Sequence, residues 1–409
     1  MTDDSELHQG TLKQIADDEP QRHDLFIGLV GPLGSSRGEV RDVIQDVLGS
    51  YGYKVERVHL AKILDSVQPA SNPLPDRGQP DYYKERMDAG DRLRKAAGDW
   101  SGLAALGISR VATHRQARVN AAGSALAQPM AYIFDSLKHP REASLLRSVY
   151  GSAFWLVSIV QDISERTTNL AEELASATGD FQAVPEAKAL ELITRDEADP
   201  DAPHGQHVRE VFSEADFFLP VQRGEPWRKK VERFFSGVFG EPFLSPYADE
   251  EAMRHAQAAS LRSAAIGRQV GAVVVPPLGA PYLVGTNEVP KPGGGQYREG
   301  DRPDHRDFQS GADPNPAYTR RVIREVMDRL ARAEFFTPER NAAGGAAVLR
   351  EAMTPDDEGK SVLDGARAKS LIEFTRCLHA EQAAIVDAAR TGTAIAGARL
   401  YTTTFPCHE

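Results

Sequence analysis

Three residues near the end of the sequence have the types and spacing of a metal centre with a proton carrier beside it. His379 and Glu381 stand two positions apart at the start of an apolar helical segment, and Cys407 follows Pro406 after the strand-like run ARLYTTT. Imidazole and thiolate are ligands that zinc prefers in proteins. A helix N-terminus can present His379 to the metal, and Glu381 is placed to move a proton from a zinc-activated water. The set predicts a hydrolytic zinc centre.

The same residues form most of a signature with a known chemistry. H-x-E followed by P-C is the arrangement found in zinc-dependent deaminases of cytosine and adenine. Taken singly, a His before a Glu at a helix start is commonly a cap or a surface pair, and a P-C dipeptide carries little information. Here a helix and a strand separate the two halves, and two strand-like runs precede them, VGAVVV (270–275) and PYLVGT (281–286). The combination favours deamination.

The segments SLRSAAIGRQVGAVVV, VGTNEVPKPGGG, CLHAEQAAI and LYTTTFPCH together resemble the deoxycytidylate deaminase branch of the zinc deaminases. The whole chain resembles the two-domain antiviral deoxycytidine nucleotide deaminases of bacteria, in which a P-loop kinase-like domain precedes the deaminase. The resemblance implies Zn2+ as the cofactor and hydrolysis of dCTP or dCMP to dUTP or dUMP. It also implies phage defence through depletion of dCTP, and inhibition by a small RNA until infection.

By this resemblance, His379 and Cys407 match metal ligands and Glu381 matches the proton shuttle. Asn287 matches an asparagine that hydrogen-bonds the sugar or base of the substrate, although a turn residue is an equal alternative. Arg268 is a candidate for phosphate binding, with an exposed arginine at a strand entry as the alternative. Cys377 precedes His379 by two positions, but the family takes its ligands from the downstream cysteine pair, so we expect Cys377 to be a buried small residue.

The full family signature is P-C-x-x-C, which places a third ligand at the position after Glu409. Three explanations are open: a fragment of a longer reading frame, a stop codon (including UGA, which also encodes selenocysteine) in place of a cysteine codon, or a truncation that has lost catalysis. With about three strands, the deaminase sheet is expected to expose an edge and an apolar face. On this basis we do not expect the printed chain to deaminate by itself.

A second candidate site lies near the other end of the sequence, where GPLGSSRG follows the strand-like run LFIGLVG (25–31) and precedes a helical pattern. Compared with G-x-x-x-x-G-K-[ST], Arg37 replaces the lysine and Gly38 replaces the magnesium-binding hydroxyl residue. Phosphate or nucleotide binding is favoured over a plain turn, whereas kinase activity is not. The expected phosphate contacts are Gly31, Gly34, Ser35, Ser36 and Arg37.

Two further features of this half have competing interpretations. Asp135, after the apolar run AYIF, sits where a Walker B acid would, or is an ordinary polar residue that ends a strand. The basic stretch from Lys84 to Lys95 is interleaved with acidic residues. We interpret it as a solvated helix face rather than an RNA contact.

The alternation of strand-like and helical patterns predicts an α/β fold: a parallel P-loop kinase-like sheet with flanking helices, followed by a cytidine deaminase-like α/β/α domain. We expect a disordered leader over 1–23, the first domain over 24–239 and the deaminase domain over 240–409. Helices are expected near 226–239, 247–264 and 316–335, and a strand with Val55, Val58 and Leu60.

Composition narrows the class of partner. The chain has 409 residues, a formal charge of −11, and two cysteines, which fits a reducing, cytoplasmic location and disfavours broad nucleic-acid binding. No apolar run is long enough for a membrane span. A nucleotide substrate and a homo-oligomer are expected. Two other functions are open: a polynucleotide cytosine deaminase, and a non-enzymatic sensor of nucleotide or RNA.

Overall fold

The chain divides into two compact units, Met1–Leu244 (unit 1) and Ser245–Glu409 (unit 2); the sequence places the boundary near residue 240. The computed structural model describes residues 23–69, 71–79, 81–122, 128–178, 186–197, 205–222, 224, 226–279, 282–356, 361–371 and 374–407. Nearly all of the predicted leader lies outside these residues. Among them, no helix has the length and apolar character needed to cross a membrane.

Unit 1 is built on a five-stranded sheet in which every neighbouring pair is parallel. The strand order is β2-β3-β1-β4-β5. The strands are β1 (Leu25–Val30), β2 (Lys54–His59), β3 (Met130–Asp135), β4 (Phe154–Val160) and β5 (Phe217–Pro220). The predicted parallel α/β sheet is confirmed, although Leu60, expected in the second strand, already begins a helix.

Helices connect these strands and cover both faces of the sheet. They are α1 (Arg37–Ser50), α2 (Leu60–Val67), α3 (Tyr82–Ala97), α4 (Gly102–Ala122), α5 (Pro140–Tyr150), α6 (Ile163–Thr178), α7 (Glu186–Glu197), α8 (Val208–Ser213) and α9 (Arg228–Val238). The last of these is the helix predicted near 226–239.

The central strand β1 is apolar throughout, and its neighbour β3 is apolar up to Asp135, because both faces of these strands are buried. Along β1, Phe26 and Val30 join one hydrophobic core, while the alternate residues Leu25, Ile27 and Leu29 join a second core on the other side. Strand geometry, with successive side chains on opposite faces, produces this division. The sheet is therefore a fixed base from which the loops at its carboxyl end project.

The predicted solvated face of the Lys84–Lys95 stretch is only partly correct. Arg94 on α3 is buried and its Nη2 lies 2.9 Å from Glu142 Oε1, with side-chain exposures of 1% and 0%. Arg86 is also buried, with Nη2 at 2.9 Å from Asp65 Oδ1. A buried guanidinium needs such a partner because its desolvation is costly. The acidic partners lie far away in sequence, so the local charge pattern did not reveal them.

Unit 2 contains a three-stranded antiparallel sheet in the order β7-β6-β8. Its strands are β6 (Gly271–Val275), β7 (Leu283–Thr286) and β8 (Arg399–Thr402). Its helices are α10 (Ala248–Ser260), α11 (Pro314–Arg332), α12 (Pro338–Ala343), α13 (Gly345–Met353) and α14 (Ala380–Thr391). The helices α10 and α11 end a few residues before the predicted limits of 264 and 335.

Two glycines allow helices to lie directly on this sheet. A Cβ at Gly285 on β7 would stand 1.9 Å from Ala380 O, at the start of α14. A Cβ at Gly271 on β6 would stand 2.0 Å from Ala256 O on α10. No side chain fits at such distances, so both contacts are made backbone to backbone. The contact at Gly285 fixes the N-terminal turn of α14 against the sheet.

A cluster of charged and titratable groups lies at the carboxyl ends of β2 and β3. Asp135 is buried and its Oδ2 accepts a hydrogen bond from Arg57 Nη2 at 2.5 Å. His59 lies next to this pair. Burial disfavours the charged imidazole and lowers the pKa of His59 to about 4, although the Asp135 carboxylate acts in the opposite direction. His59 is therefore neutral in the folded unit at neutral pH.

The contact at Gly285 is testable by substitution. We expect Gly285→Ala to reduce the free energy of unfolding of unit 2 by about 2 kcal/mol or more, because the new methyl group must displace the backbone of α14. Gly267→Ala is the matched control, since a Cβ there meets no atom within 4 Å. Calorimetric unfolding of the two variants measures the effect, and equal midpoints would contradict it.

Acid is expected to destabilise unit 1 through His59. The pKa is 6.5 for an ordinary histidine and about 4 in the folded unit, so the unfolded state takes up the proton first as the pH falls between these values. Stability present above pH 6.5 is thus lost on acidification, by roughly 2 kcal/mol between about pH 7.5 and 5.

All three tryptophans, Trp100, Trp155 and Trp227, lie in unit 1, so denaturant unfolding followed by tryptophan fluorescence reports on this unit. His59→Gln should weaken the pH dependence over this interval. An unchanged slope in the variant would show that His59 is not its source.

Candidate metal centre and phosphate cleft

His379 is held at the N-cap of α14 by backbone contacts on both sides. The Leu378 amide donates to Glu288 O at 3.1 Å, and the Ala383 amide donates to His379 O at 2.8 Å. The His379 amide also donates to Gln382 Oε1 at 3.2 Å. The position of the imidazole relative to the sheet therefore follows from the helix start and from the loop after β7.

The structure brings His379 and Cys407 together. His379 Nδ1 lies 3.2 Å from Cys407 Sγ, although 28 positions separate them in sequence. A tetrahedral zinc with ordinary Zn–N and Zn–S bonds holds such atoms about 3.6 Å apart, so a shift of a few tenths of an ångström admits the ion. Donor chemistry and separation both fit zinc. Within the described part of the chain, no set of three His, Cys, Asp or Glu residues completes a metal site.

Cys407 itself lies in irregular backbone after β8.

Glu381 is oriented by the end of β8. Its Oε1 accepts a hydrogen bond from Thr402 Oγ1 at 2.7 Å. The next residue, Thr403, accepts from the Gly271 amide at 3.1 Å through its Oγ1. The run of threonines thus ties the carboxylate to two strands of the sheet. In the sequence, only the place of these threonines shortly before Pro406 and Cys407 hinted at a role.

The side chain of Asn287 forms two hydrogen bonds with the backbone of the segment that precedes β6. Its Oδ1 accepts from the Val270 amide at 2.7 Å, and its Nδ2 donates to Arg268 O at 2.7 Å. Arg268 is exposed, and its Nη1 donates to Thr404 Oγ1 at 2.6 Å. Both residues line the same cavity as the His379–Cys407 pair.

That cavity has a volume of about 350 Å3, within the range of small-molecule sites. Among its described lining residues, Arg268 is the one arginine or lysine. The lining residues are Ala265, Ile266, Gly267, Arg268, Val270, Asn287, Asp307, Asp313, Asn315, Thr375, Cys377, His379, Ala380, Glu381, Thr404, Phe405 and Cys407. The predicted ligands, proton carrier and substrate contacts of unit 2 therefore share one cavity.

Cys377 has a more polar environment than the expected small apolar residue. It is half-buried, and its Sγ donates to Asp307 Oδ2 at 3.5 Å. Burial and the Asp307 carboxylate raise the pKa of the thiol to about 12. Asp307 is in turn paired with Arg376 at 2.9 Å.

Glu288, which sequence analysis passed over, joins the loops around this cavity. It is buried and its carboxylate accepts from the Ala264 amide at 2.8 Å and the Val289 amide at 2.9 Å. Its backbone pairs with Leu378, directly before His379. A carboxylate that accepts backbone N–H groups in this way holds loop segments in a fixed relation. In the sequence, nothing distinguishes Glu288 from an ordinary acidic residue after Asn287.

In unit 1, the predicted phosphate loop lies between β1 and α1 and depends on its glycines. Gly34 has a φ of +80°, and a Cβ there would stand 2.2 Å from Arg166 O on α6. A Cβ at Gly31 would stand 2.7 Å from Ser35 Oγ. The loop is therefore compact and closely covered by α6, whose Asn169 Nδ2 donates to Gly34 O at 3.1 Å.

Part of the donor capacity of this loop is used internally. The Ser36 amide donates to Gln161 Oε1 at 2.9 Å, and the Leu33 amide donates to Asp196 Oδ2 at 2.9 Å. The Ser35 amide donates to Pro32 O at 3.1 Å. The Arg37 amide, the first of α1, donates to Ser35 O at 2.7 Å. The amides that follow it in the first turn have no partner inside the helix, so they are the backbone donors that the loop offers to an anion.

Arg37 turns toward Asp135. Its Nε lies 3.0 Å from Asp135 Oδ1, so the residue at the lysine position and the acid at the strand end form an ion pair. Both line a cleft of about 490 Å3 together with the loop residues Gly34, Ser35 and Ser36. The predicted loop residues and Asp135 are thus in one place, at the carboxyl ends of β1 and β3, where ligands bind in open α/β sheets.

Comparison with solved structures gives weak overall likenesses. Shikimate kinase from Aquifex aeolicus is 11% identical, with 54% of this chain and 100% of that chain covered and a TM-score of 0.26. An uncharacterized protein from Eubacterium ventriosum is 9% identical, with coverages of 53% and 99% and a TM-score of 0.25. Likenesses of this size add nothing to the fold established by the strand order. No curated protein sequence matches the chain.

The family comparison is specific to unit 2. The model for the cytidine and deoxycytidylate deaminase zinc-binding region matches residues 246–409. The match spans the helix α10, the three strands and the His379–Cys407 pair, and it begins next to the boundary between the two units. Residues 246–409 are therefore similar to the zinc-binding region of cytidine and deoxycytidylate deaminases.

Proposed function

We propose that unit 2 carries out the zinc-dependent hydrolytic deamination of a deoxycytidine nucleotide, dCTP or dCMP, to the corresponding uracil nucleotide. The observation that carries this proposal is the meeting of His379, Cys407 and Glu381 in one cavity. In the reaction, water adds to C4 of cytosine and the amino group leaves as ammonia.

His379 Nδ1 and Cys407 Sγ are the atoms that would hold zinc. When bound, the ion supplies an activated water as nucleophile at neutral pH. The other tasks belong to the chain itself. Glu381 is fixed by Thr402 at Oε1, which leaves Oε2 to receive a proton from the water, to protonate the ring nitrogen, and to assist the departing ammonia.

Asn287 and Arg268, which line the same cavity as Glu381, are proposed to position the nucleotide. Asn287 holds the Arg268 carbonyl, so the two residues form one binding loop whose guanidinium is available to a phosphate group. Asp307 and Asp313 also line the cavity. Because these carboxylates repel phosphate, the phosphate end of the substrate is expected on the side of Arg268.

The wider biological role rests on the family resemblance. We propose that the enzyme acts in the cytoplasm and defends against phage by depleting dCTP, that a small RNA restrains it, and that it assembles as a homo-oligomer. Unit 1 is proposed to bind a nucleotide by its phosphates, through Gly31, Gly34, Ser35, Ser36 and Arg37. The open cleft that Gly34, Ser35, Ser36 and Arg37 line supports that role.

Two alternatives differ in what they require. A polynucleotide deaminase needs a basic channel lined with aromatic rings, whereas the described lining of this cavity includes one aromatic ring other than His379, that of Phe405, and one guanidinium. A nucleotide or RNA sensor requires binding in unit 1 and no metal in unit 2. Zinc content and ammonia release separate the sensor from the enzyme.

Glu381→Gln should lower ammonia release from dCTP and dCMP by about 100-fold or more, because the amide cannot carry the proton. Zinc content should stay at the level of the parent. The control is Asp387→Asn on the exposed face of α14, where the carboxylate pairs with Arg390. The parent is the chain extended by one cysteine after Glu409, as the family signature requires. Comparable rates for Glu381→Gln and the parent would exclude Glu381 as proton carrier.

The two cysteines should differ in zinc binding. Cys407→Ser in the extended chain is expected to weaken zinc affinity at least about tenfold, as loss of a ligand requires, while Cys377→Ser should retain the metal. Elemental analysis and competition with a chromogenic chelator measure both. If the extended chain binds nucleotide but holds no zinc and releases no ammonia, the sensor replaces the enzyme as the function.

A further inference from the structure

The phosphate cleft of unit 1 departs from an ordinary P-loop site in the groups that would hold magnesium. Such sites give the cation a Ser or Thr hydroxyl directly after the P-loop lysine, and an acidic residue at the end of a neighbouring strand. Here the first position is Gly38, which has no side chain, and the second is Asp135.

Asp135 is already occupied by cations of the chain. Arg37 Nε lies 3.0 Å from its Oδ1, Arg57 Nη2 lies 2.5 Å from its Oδ2, and Arg41 Nη1 lies 3.8 Å from the same oxygen. The side chain of Asp135 is 1% exposed. Burial alone raises the pKa of this carboxyl, but Arg37 and Arg57 outweigh burial and keep the pKa below its usual value. The carboxylate is therefore ionised, buried and neutralised without a metal.

The three arginines form an excess of positive charge over one buried carboxylate. Each remains partly exposed to the cleft, by 23% for Arg37, 19% for Arg41 and 38% for Arg57. Guanidinium groups present planar pairs of N–H donors that match phosphate oxygens.

Other charges in the cleft do not cancel this excess. Asp42 also pairs with Arg41, and Glu39 lies at the exposed rim. Arg77 and Glu173 pair with each other elsewhere in the lining. Around Asp135, the three arginines therefore outnumber the carboxylates of Asp135 and Asp42 by one positive charge.

Several polar atoms in the cleft lack a hydrogen-bond partner within the described chain. They are Ser35 Oγ, Arg57 Nε, His59 Nδ1 and Asp135 Oδ1, all buried and all on residues that line the cleft. Buried polar atoms are normally paired. Their location, around an opening of about 490 Å3, is that of a site completed by a polar ligand.

We propose that this cleft binds the phosphates of a nucleoside triphosphate or a related polyphosphate as a free anion, with Arg37, Arg41 and Arg57 in place of magnesium. The inference rests on the proposed nucleotide binding by unit 1 and specifies its chemistry. The ligand is held without phosphoryl transfer, because Gly38 offers a metal no hydroxyl and the Asp135 carboxylate is already paired with Arg37 and Arg57.

The proposal assigns Asp135 a role opposite to that of a magnesium ligand. A metal-binding acid strengthens nucleotide binding, so its amide variant binds less tightly. In this cleft the carboxylate competes with the ligand for the arginines and repels its phosphates. Its removal should therefore tighten binding.

The test is isothermal titration of the full chain with ATP and with inorganic triphosphate, each in excess EDTA and in excess MgCl2. We expect both to bind in EDTA at least as tightly as with magnesium. Asp135→Asn should tighten binding at least about threefold. Arg57→Gln and Arg41→Gln should each weaken it about tenfold, the usual effect of losing a charge-assisted contact.

The control is Arg110→Gln, an exposed arginine on α4 outside the cleft lining, which should bind like the parent. Tryptophan fluorescence checks that each variant is folded. If Asp135→Asn is unfolded, the comparison of binding in EDTA and in MgCl2, together with the arginine variants, still tests whether the site binds phosphates without a metal.

Binding that requires magnesium, or that is lost in folded Asp135→Asn, would overturn the metal-free site while leaving nucleotide binding by unit 1 intact. No binding of either probe in either buffer would overturn both. Neither outcome bears on deamination by unit 2, because the zinc and ammonia measurements are separate.

Discussion

The backbone contact between β7 and α14 is the constraint on which the candidate metal centre depends. Because Gly285 has no side chain, the start of α14 lies directly on the strand, with Ala380 O at 1.9 Å from the position of a Cβ. The two neighbours of Ala380 are His379 and Glu381, so the backbone of both residues is held at a fixed distance from the sheet. The third group, Cys407, follows β8, which pairs with β6 in the same sheet. One sheet thus sets the distances between all three.

In unit 1, too, the sheet brings the functional groups together, but these groups are charged side chains rather than metal ligands. Parallel strands end at the same edge of a sheet, so the loop after β1 and the last residue of β3 meet there. A carboxylate buried at that edge must be neutralised, and three arginines perform this for Asp135. The same arginines remain open to the cleft. Structural neutralisation and anion recognition therefore use the same guanidinium groups.

Much of this architecture was predictable from local pattern. The apolar runs of unit 1 became strands because a strand buried on both faces must be apolar throughout. The pair His379 and Glu381 was predictable because a helix start fixes which neighbouring residues point the same way. Thr402 and Glu288 were missed, since a threonine in a strand and a glutamate after an asparagine look alike whether or not they hold a functional loop. Arg86 and Arg94 were assigned to solvent because their partners Asp65 and Glu142 are remote in sequence.

The sequence by itself determined the kinds of chemistry: an imidazole, a thiolate and a carboxylate at deaminase spacing, and a glycine-rich turn between a strand and a helix. The tertiary structure decided which of these groups lie next to each other. It placed Cys407 Sγ 3.2 Å from His379 Nδ1 across 28 positions, and Arg57 against Asp135 across 78. Periodicity reports only which face of an element a residue occupies. Distances between elements arise when sheets and helices pack, and the ionic state of a buried group follows from those distances.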